Sequence, residues 1–229
     1  MGTCLGRGVA AGLLAGLLAG LFAYLFGEPS VDRALALEEA GRFNAVVDRP
    51  TQRLGLVVAV ALYGASVGAV FGIVFHLLRD RMAAPDDWTR SLRLAAALFA
   101  GLFFLPFLKY PADPPGTGDP SDIGLRTVVY LVTVAVCVAA VFVAWSVART
   151  LREQGLPGPA RQTLVGAGLA VLLGGFFLAM PPATDPGRFP GDVLWDFRMS
   201  AVGTQAVLWT GLGVLFGALC EHKSRKKAS

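Results

Sequence analysis

Residues Gly8–Gly27 read GVAAGLLAGLLAGLFAYLFG, a run of 20 residues without a charged side chain. A helix rises about 1.5 Å per residue, so roughly 20 apolar residues cross a hydrocarbon core of about 30 Å. Five further stretches of the chain are similarly apolar and uncharged, and the six together cover more than half of its length. The sequence therefore predicts an all-α polytopic membrane protein, a bundle of about six transmembrane helices joined by short loops.

The six stretches predict a single transmembrane domain over residues 1–229. The third stretch is the shortest, but the long side chains of Arg93 and Lys109 at its ends can reach the membrane interface. Pro106 inside it should kink or break the helix, because proline removes a backbone hydrogen bond. The predicted spans are residues 8–27, 54–78, 92–108, 127–148, 163–183 and 199–220, followed by a basic cytoplasmic tail at 221–229.

Charge is scarce and unevenly distributed along the chain. The formal net charge of +4 lies largely in the C-terminal tail, which argues against nucleic-acid binding. Twelve of the 20 Lys and Arg residues fall on the side of the two termini, and the positive-inside rule then places both termini in the cytoplasm. Eleven of the 16 acids fall in the opposite, external loops. The predicted external face is therefore acidic.

Glycine recurs every fourth residue in three of the predicted helices. Four-residue spacing places small side chains on one helix face, where a second backbone can approach closely. Such a face serves either helix packing within the subunit or self-association into a homo-oligomer. The glycines with this spacing are Gly8, Gly12, Gly16 and Gly20, then Gly64, Gly68 and Gly72, and finally Gly213 and Gly217.

A charged, amphipathic stretch follows the first span. Pro29 suits the first turn of a short helix at the membrane interface, and Glu28, Asp32 and Glu39 can share one face of it. These carboxylates either attract a divalent cation or form a solvated face with Arg33 and Arg42 as partners.

The loops after the third and fifth spans resemble each other. Each runs from an apolar helix through prolines, a glycine and two acids to an arginine that opens the next helix. This pattern indicates a helix-hairpin duplication, and parallel repeats in transporters place matching loops on one side. Stiff proline-rich loops can hold a fixed geometry. We therefore expect one cluster at the outer mouth of the bundle, formed by Glu28, Asp32, Lys109, Asp119, Arg126, Asp192 and Arg198.

Two polar residues lie within the last span. Thr204 and Gln205 are one to two turns inside it, and an amide in hydrocarbon needs a partner. They serve either an interhelical hydrogen bond or contact with a substrate on a polar path. The candidate residues of the external loops are Glu28, Asp32, Glu38, Glu39, Lys109, Tyr110, Asp113, Asp119, Asp122, Arg126, Asp192, Trp195, Asp196 and Arg198, with Glu28 and Asp32 as candidate metal ligands.

Several of these stretches resemble the CbtA family of predicted cobalt transporter subunits. They are Gly27-Glu28-Pro29 with Asp32-Arg33 and Glu38-Glu39, Pro106-Phe107-Leu108-Lys109-Tyr110-Pro111 with Pro114-Pro115, Arg126-Thr127, Phe189-Pro190, Leu194-Trp195, Phe197-Arg198, Gly203-Thr204-Gln205, Trp209 and Phe216-Gly217. The resemblance covers almost the whole chain. It implies a bacterial inner-membrane protein that supplies cobalt for cobalamin synthesis and pairs with CbtB, a small single-helix subunit with a histidine motif.

One departure from the family concerns the loop between the first two spans. Many members carry a histidine-rich insertion there, whereas residues 40–49 of this chain contain no histidine. Cobalt(II) favours imidazole and carboxylate together over carboxylate alone. Either the partner supplies imidazole, or the carboxylates capture cobalt(II) weakly as the substrate, or this member moves another ion. No bound cofactor is expected.

Three classes of function follow from these patterns. A transport subunit fits the six spans, the paired loops and the acidic face. A membrane scaffold fits the glycine faces and the lack of ionisable groups at mid-membrane, where carriers usually have them. An intramembrane enzyme would use Lys109, Arg126 and Arg198 to bind phosphate, with Asp119 or Asp122 as base. The sequence has no Walker loop or zinc-hydrolase motif, so we do not expect an enzyme.

Overall fold

The computed structural model describes residues 1–39, 48–115, 117, 120–183, 187 and 189–228, and this part of the chain is helical without β-strands. Short 3-10 turns at Arg79–Arg81 and Pro120–Asp122 lie between helices. Six stretches of helix in the described residues are long and apolar enough to cross a membrane, which confirms the predicted all-α polytopic fold. The helices are α1 (Gly2–Phe22), α2 (Glu28–Glu39), α3 (Arg49–Leu78), α4 (Asp87–Phe99), α5 (Leu105–Lys109), α6 (Ile123–Glu153), α7 (Gly158–Ala179) and α8 (Gly191–Ala228).

Two pairs of helices are joined without a break by π-helical turns. Ala23–Gly27 joins α1 to α2, and Ala100–Phe104 joins α4 to α5. The residue after each turn donates its N–H to the carbonyl five positions back, and a proline follows, Pro29 in one case and Pro106 in the other. A proline ring clashes with the carbonyl four positions back in a regular α-helix. The wider π turn accommodates the proline without interrupting the helix.

Pro106 therefore does not break the third span. The helical stretch runs over Asp87–Lys109, which is 23 residues and about 35 Å long at 1.5 Å per residue. It begins before the predicted boundary at residue 92, and it is long enough to cross a bilayer without help from its end residues.

The fifth helix ends earlier than its predicted span. Residues 163–183 were expected to be helical, but α7 ends at Ala179 and Met180 is extended, with φ −85° and ψ 150°. Pro181 and Pro182 follow directly. A residue before proline is driven out of the α region, and proline cannot donate to the helix, so the predicted end was four residues too late.

The chain divides into two compact units. The first consists of Met1–Ala96, Ala112–Gly116 and Arg188–Ser229, and the second of Ala97–Pro111 and Thr117–Gly187. The expectation of one transmembrane domain stays a prediction.

In the first unit, the glycine stripes of α1 and α3 pack directly against each other. A Cβ atom placed on Gly12 would lie 2.1 Å from the Gly64 carbonyl oxygen, and one on Gly68 would lie 2.1 Å from the Gly8 oxygen. Only glycine permits this approach of two backbones. These two stripes therefore serve packing within the chain, one of the two alternatives left by the sequence.

Helix α8 completes the core of the first unit. The Phe216 ring meets Phe71 and Phe75 edge-on, with ring centroids 5.1 and 4.9 Å apart. On another face, the buried Ser91 hydroxyl of α4 donates to the Gly213 carbonyl of α8 at 2.7 Å. Gly213 of the third glycine pair also lies against α4, because a Cβ atom placed on it would contact side chains of that helix. The apolar core and this hydrogen bond fix the position of α8 beside α3 and α4.

The second unit is built on α6 and α7. Cys137 and Ala140 of α6 bury against Leu173 of α7, and Gly101 in the π turn after α4 lies against Val138. The remaining apolar side chains of α6 and α7 are mostly exposed in the chain. An apolar, exposed surface of this kind is suited to lipid.

Candidate functional site

The candidate site lies at the start of α2, directly after the π turn that follows α1, where two carboxylates lie on one face of the helix. Glu28 and Asp32 are one helical turn apart at the start of α2, so their side chains point in the same direction. Glu28 is largely buried, with a side chain 10% exposed, whereas the Asp32 side chain is 40% exposed. A buried carboxylate must be paired to remain ionised, because burial removes its hydration.

Two arginines at the start of α3 provide that pairing. The Arg49 guanidinium donates to Glu28 Oε2 at 2.7 Å and also to Asp32. Arg53, one turn further along α3, donates through Nε to the same Glu28 oxygen at 3.3 Å and through Nη2 to Asp32. Each guanidinium thus spans both carboxylates, and the four charges form a neutral cluster, named here the α2–α3 cluster. Charge-assisted hydrogen bonds of this kind are stronger than neutral ones.

The first turn of α3 is held in place by its own cap. Asp48 accepts a hydrogen bond from the Thr51 N–H at 3.3 Å, and Arg49 donates to the Gln52 side chain at 2.8 Å. The hydrogen bonds from Thr51 hold the pKa of the Asp48 carboxyl below its ordinary value. Arg49 in the first turn of α3, and Arg53 one turn further along, place positive charge near the positive end of the helix dipole. The carboxylates of α2 offset this repulsion, so the cluster stabilises the start of α3.

Helix α2 is also attached to α8. Arg33 donates to Asp196 at 2.8 Å, with side chains that are 51% and 45% exposed. Beside this pair, Ala34 is buried against Phe189, Val193 and Leu194. An ion pair this exposed stabilises weakly, and the apolar contact carries more of the attachment.

The arginine that opens the last span is bound to a distant loop. Arg198 donates to Asp113 at 2.6 Å and to the Ala112 carbonyl at 3.2 Å. Asp192 and Asp196 precede Arg198 closely in the sequence, but its carboxylate partner in the structure lies 85 positions away. Asp192 is exposed, and Asp196 binds Arg33 instead. The fold therefore connects the loop after α5 to the start of α8 through this pair.

Lys109 and Tyr110 connect the ends of α5 and α7. Lys109 Nζ donates to the Met180 carbonyl at 3.3 Å, and the Tyr110 hydroxyl donates to the Pro181 carbonyl at 2.8 Å. Burial raises the pKa of the Tyr110 hydroxyl further above neutral pH, where an ordinary tyrosine is already a hydrogen-bond donor. These two side chains therefore bind main-chain carbonyls of the extended residues that follow α7.

The other predicted loop residues have varied positions. Arg126 donates to the Thr117 carbonyl at 3.4 Å, while Asp122 and Trp195 are exposed at helix starts. Asp119 lies outside the described residues, and the side chains of Glu38 and Glu39 are not described. Within the first unit the structure joins Glu28 with Asp32 and Arg198 with Asp113. The convergence of all seven expected residues on one mouth stays a prediction.

The polar residues of the last span bond within their own helix. Trp209 Nε1 donates to Gln205 Oε1 at 3.1 Å, one turn apart, and the Thr204 hydroxyl donates to the Ser200 carbonyl at 2.8 Å. Both side chains are half-buried. The interhelical hydrogen bond considered for Gln205 is replaced by this bond within α8, because Trp209 lies one turn away on the same face.

The described residues contain no group of three or more His, Cys, Asp and Glu placed to hold a metal ion. Glu28 and Asp32 supply only carboxylate oxygens, and both are engaged by arginines. Whether they act as metal ligands stays a prediction.

Arg49 and Arg53 are the site residues that the sequence analysis missed, although a signal was present. The glycine stripes of the first two spans allow these helices to pack side by side, which was one of the two alternatives left open. In that arrangement the carboxylates at the end of one helix and the arginines at the start of the next would meet. Both pairs also have the four-residue spacing of one helix turn.

The fold and this arrangement of charge define a polytopic membrane protein whose spans are apolar and whose ionic groups are gathered at helix ends. The model of the CbtA family, the probable cobalt transporter subunit, matches residues 1–221, and the chain belongs to this family. The resemblance read from the sequence is thereby confirmed. Comparisons with curated proteins and with solved structures gave no match.

Proposed function

We propose that this protein is the membrane subunit of a cobalt(II) transporter that acts with a small single-helix, CbtB-like partner. The observation that carries the proposal is the family match, which spans all six membrane-crossing helices. The proposed location is the bacterial inner membrane, with both termini in the cytoplasm, and the proposed role does not include catalysis. A role without catalysis is supported by two of the side chains considered for phosphate binding, because Lys109 donates to a main-chain carbonyl and Arg198 donates to a carboxylate.

In this proposal the acidic external loops collect the hydrated cation, and Glu28 and Asp32 are the first carboxylates it meets at the bundle. The cation must displace Arg49 and Arg53 to reach them. Carboxylates alone hold cobalt(II) poorly compared with sites that include imidazole. A partner that contributes histidine would complete the ligand set that this chain lacks in its external loops.

Gln205 is the proposed polar contact further inward. Its side-chain oxygen can replace a water of hydration without adding a fixed charge to the membrane interior. Since that oxygen now accepts from Trp209, contact with an ion would require the indole to turn away. Thr204 supplies a second oxygen one residue away.

A membrane scaffold without its own path is the second candidate. The observation in its favour is that no Asp, Glu, Lys or Arg lies in the interior of the six predicted spans, since Arg93 is at the end of its span. Pumps and ion-coupled carriers normally place such residues at mid-membrane. A scaffold would hold the partner, and the partner would conduct the ion.

The test is cobalt accumulation in cells that express this protein alone, a CbtB-like partner alone, or both. Accumulation that requires both chains and falls in Glu28→Gln supports the transport subunit. A matched control is Glu153→Gln, which removes an exposed ion pair with Arg149 on α6. Accumulation by the partner alone, unchanged by this chain, would contradict the proposal. Dependence on this chain with no effect of Glu28 or Gln205 variants would favour the scaffold.

A further inference from the structure

Helix α2 has the mechanical features of a hinged segment. It continues α1 through the π turn Ala23–Gly27, where the hydrogen bond from the Glu28 N–H reaches back to Ala23. Pro29 follows and has no N–H to donate, so one bond of the ladder across this junction is missing. Single π turns often occur at functional positions in helices. The stretch Gly2–Ala36 therefore combines at this junction the two features that most often allow a helix to bend, a π turn and a proline.

The contacts that hold α2 on the far side of this junction are few. Its described buried apolar contact with another helix is Ala34 against Val193 and Leu194 of α8. By contrast, α1 is bound along its length to α3 by the interlocking glycine stripes. Helix α1 thus cannot separate from α3 without losing a large interface, whereas α2 is attached to α3 by ion pairs and to α8 by one small apolar contact and an exposed ion pair.

Those ion pairs lie on two sides of α2. Glu28 and Asp32 bind Arg49 and Arg53 of α3, while Arg33 binds Asp196 of α8. The α2–α3 cluster is the stronger of the two, because Glu28 is buried and each arginine bonds both acids. Its two positive and two negative charges cancel. Removing the two acids leaves two uncompensated arginines at the start of α3, and removing the two arginines leaves two uncompensated acids at the start of α2. Either change destabilises the contact of α2 with α3.

We infer that α2 is a strap hinged at the π turn, that the α2–α3 cluster is its latch, and that release of the latch opens the external side of the protein to its cargo. The opening step rests on the proposed function, whereas the hinge and latch do not. A cation that competes for Glu28 and Asp32 would raise the charge of the cluster and repel both arginines, which gives the cargo itself a means of release.

Hydrogen exchange of the purified protein in lipid nanodiscs tests the latch. In Arg49→Gln/Arg53→Gln, the amides of residues 30–36 should exchange at least about tenfold faster than in the wild type, while the α1 amides under the glycine interface stay protected. The charge-swapped variant Asp32→Arg/Arg53→Asp keeps an ion pair between these two positions, so its residues 30–36 should be better protected than those of the Arg49→Gln/Arg53→Gln variant. Arg149→Gln, which breaks an exposed pair on α6, is the control. If the Arg49→Gln/Arg53→Gln variant is folded and monodisperse and its residues 30–36 exchange at the wild-type rate, the inference is overturned.

A reversible cross-link tests the opening step. Arg33→Cys and Asp196→Cys, exposed positions that face each other across the contact of α2 with α8, can be joined by a short cleavable thiol reagent that ties the two helices together, whereas the native cysteines are buried. Cross-linking should reduce cobalt(II) accumulation at least tenfold relative to either single variant, and reductive cleavage should restore it. Accumulation that is unaffected by the cross-link would overturn the inference. If no form accumulates cobalt, the proposed function fails, and the exchange experiment alone decides on the latch.

Discussion

Glu28 of α2 and Arg49 of α3 are joined by a 2.7 Å ion pair that closes a connection of 21 positions in the chain. The pair exists because two glycine stripes press α1 and α3 together, so the end of one helix meets the start of the other. Because the arginine and the carboxylate are both partly withdrawn from solvent, removing one of them leaves a poorly hydrated charge and costs more than breaking a surface pair.

The first prediction concerns the carboxylate itself. Replacing Glu28 with Gln removes the anion that both arginines share, and should lower the free energy of unfolding by about 1–3 kcal/mol. Cobalt accumulation with the partner present should fall as well, because the proposed capture site loses its buried charge. Accumulation per folded molecule separates the two effects, with thermal unfolding in detergent as the stability measurement. Accumulation per molecule equal to that of Glu153→Gln would contradict a role in capture.

The second prediction concerns the glycine interface. A Cβ on Gly64 would lie 2.4 Å from the Gly12 carbonyl oxygen, so Gly64→Ala forces α1 and α3 apart and should cost about 1–3 kcal/mol or more. Gly166 on α7 has nothing within 4 Å of the same position. The matched variant Gly166→Ala should be neutral or more stable by up to about 1 kcal/mol, because alanine favours helix. Equal unfolding temperatures for the two variants would show that the close contact is wrong.

The third prediction concerns a helix cap and pH. The Thr89 N–H donates to Asp86 at 2.6 Å, and this hydrogen bond lowers the pKa of the Asp86 carboxyl. A lowered folded-state pKa stabilises the protein above the unfolded value of about 3.9, and this contribution is lost as pH falls through that value towards the folded-state pKa. Asp86→Ala should therefore unfold at a lower temperature at pH 7, with the difference from wild type shrinking below about pH 4.

The control for this cap is Asp80→Ala, since the Asp80 side chain is 90% exposed. It should leave the unfolding temperature almost unchanged at both pH values. A difference between Asp86→Ala and wild type that does not depend on pH would mean that the ionised carboxylate is not the source of the stabilisation.

The fourth prediction separates a polar path from a packing role for Gln205. Gln205→Leu and Trp209→Phe both remove the hydrogen bond between these two side chains. If the Gln205 oxygen contacts the ion, the leucine variant should lose most of its cobalt accumulation while Trp209→Phe retains it. Both variants are compared at equal amounts of folded protein. Similar accumulation in the two would assign Gln205 to the support of Trp209.

The fifth prediction concerns membrane topology. Six spans and the basic residues of the C-terminal tail predict both termini in the cytoplasm. Each basic residue close to an anionic surface adds about 1 kcal/mol of attraction, so the tail should also favour anionic lipid. Reporter fusions to each terminus should both give the cytoplasmic signal. An external signal from one terminus would show that one of the six helices does not cross.

The sequence by itself determined the fold class, because the hydrocarbon core allows only segments that satisfy their own backbone hydrogen bonds, and apolar length alone identifies them. It also determined which helix faces allow a close backbone approach, because glycines spaced by four lie on one face, whereas the structure showed that α1 and α3 use these faces against each other. The resemblance to CbtA rested likewise on short motifs that are continuous in the chain.

Only the tertiary structure decided how the charges pair. Asp113 binds Arg198 from 85 positions away, and Glu28 binds Arg49 and Arg53 rather than its neighbour Arg33. Sequence spacing ranks partners along one helix, whereas ion pairs join whichever side chains the packed helices bring within about 3 Å. Pro106 shows the same limit, because its effect on the helix depended on the π turn that precedes it. A long-range contact is a property of the assembled bundle, so no local pattern specifies it.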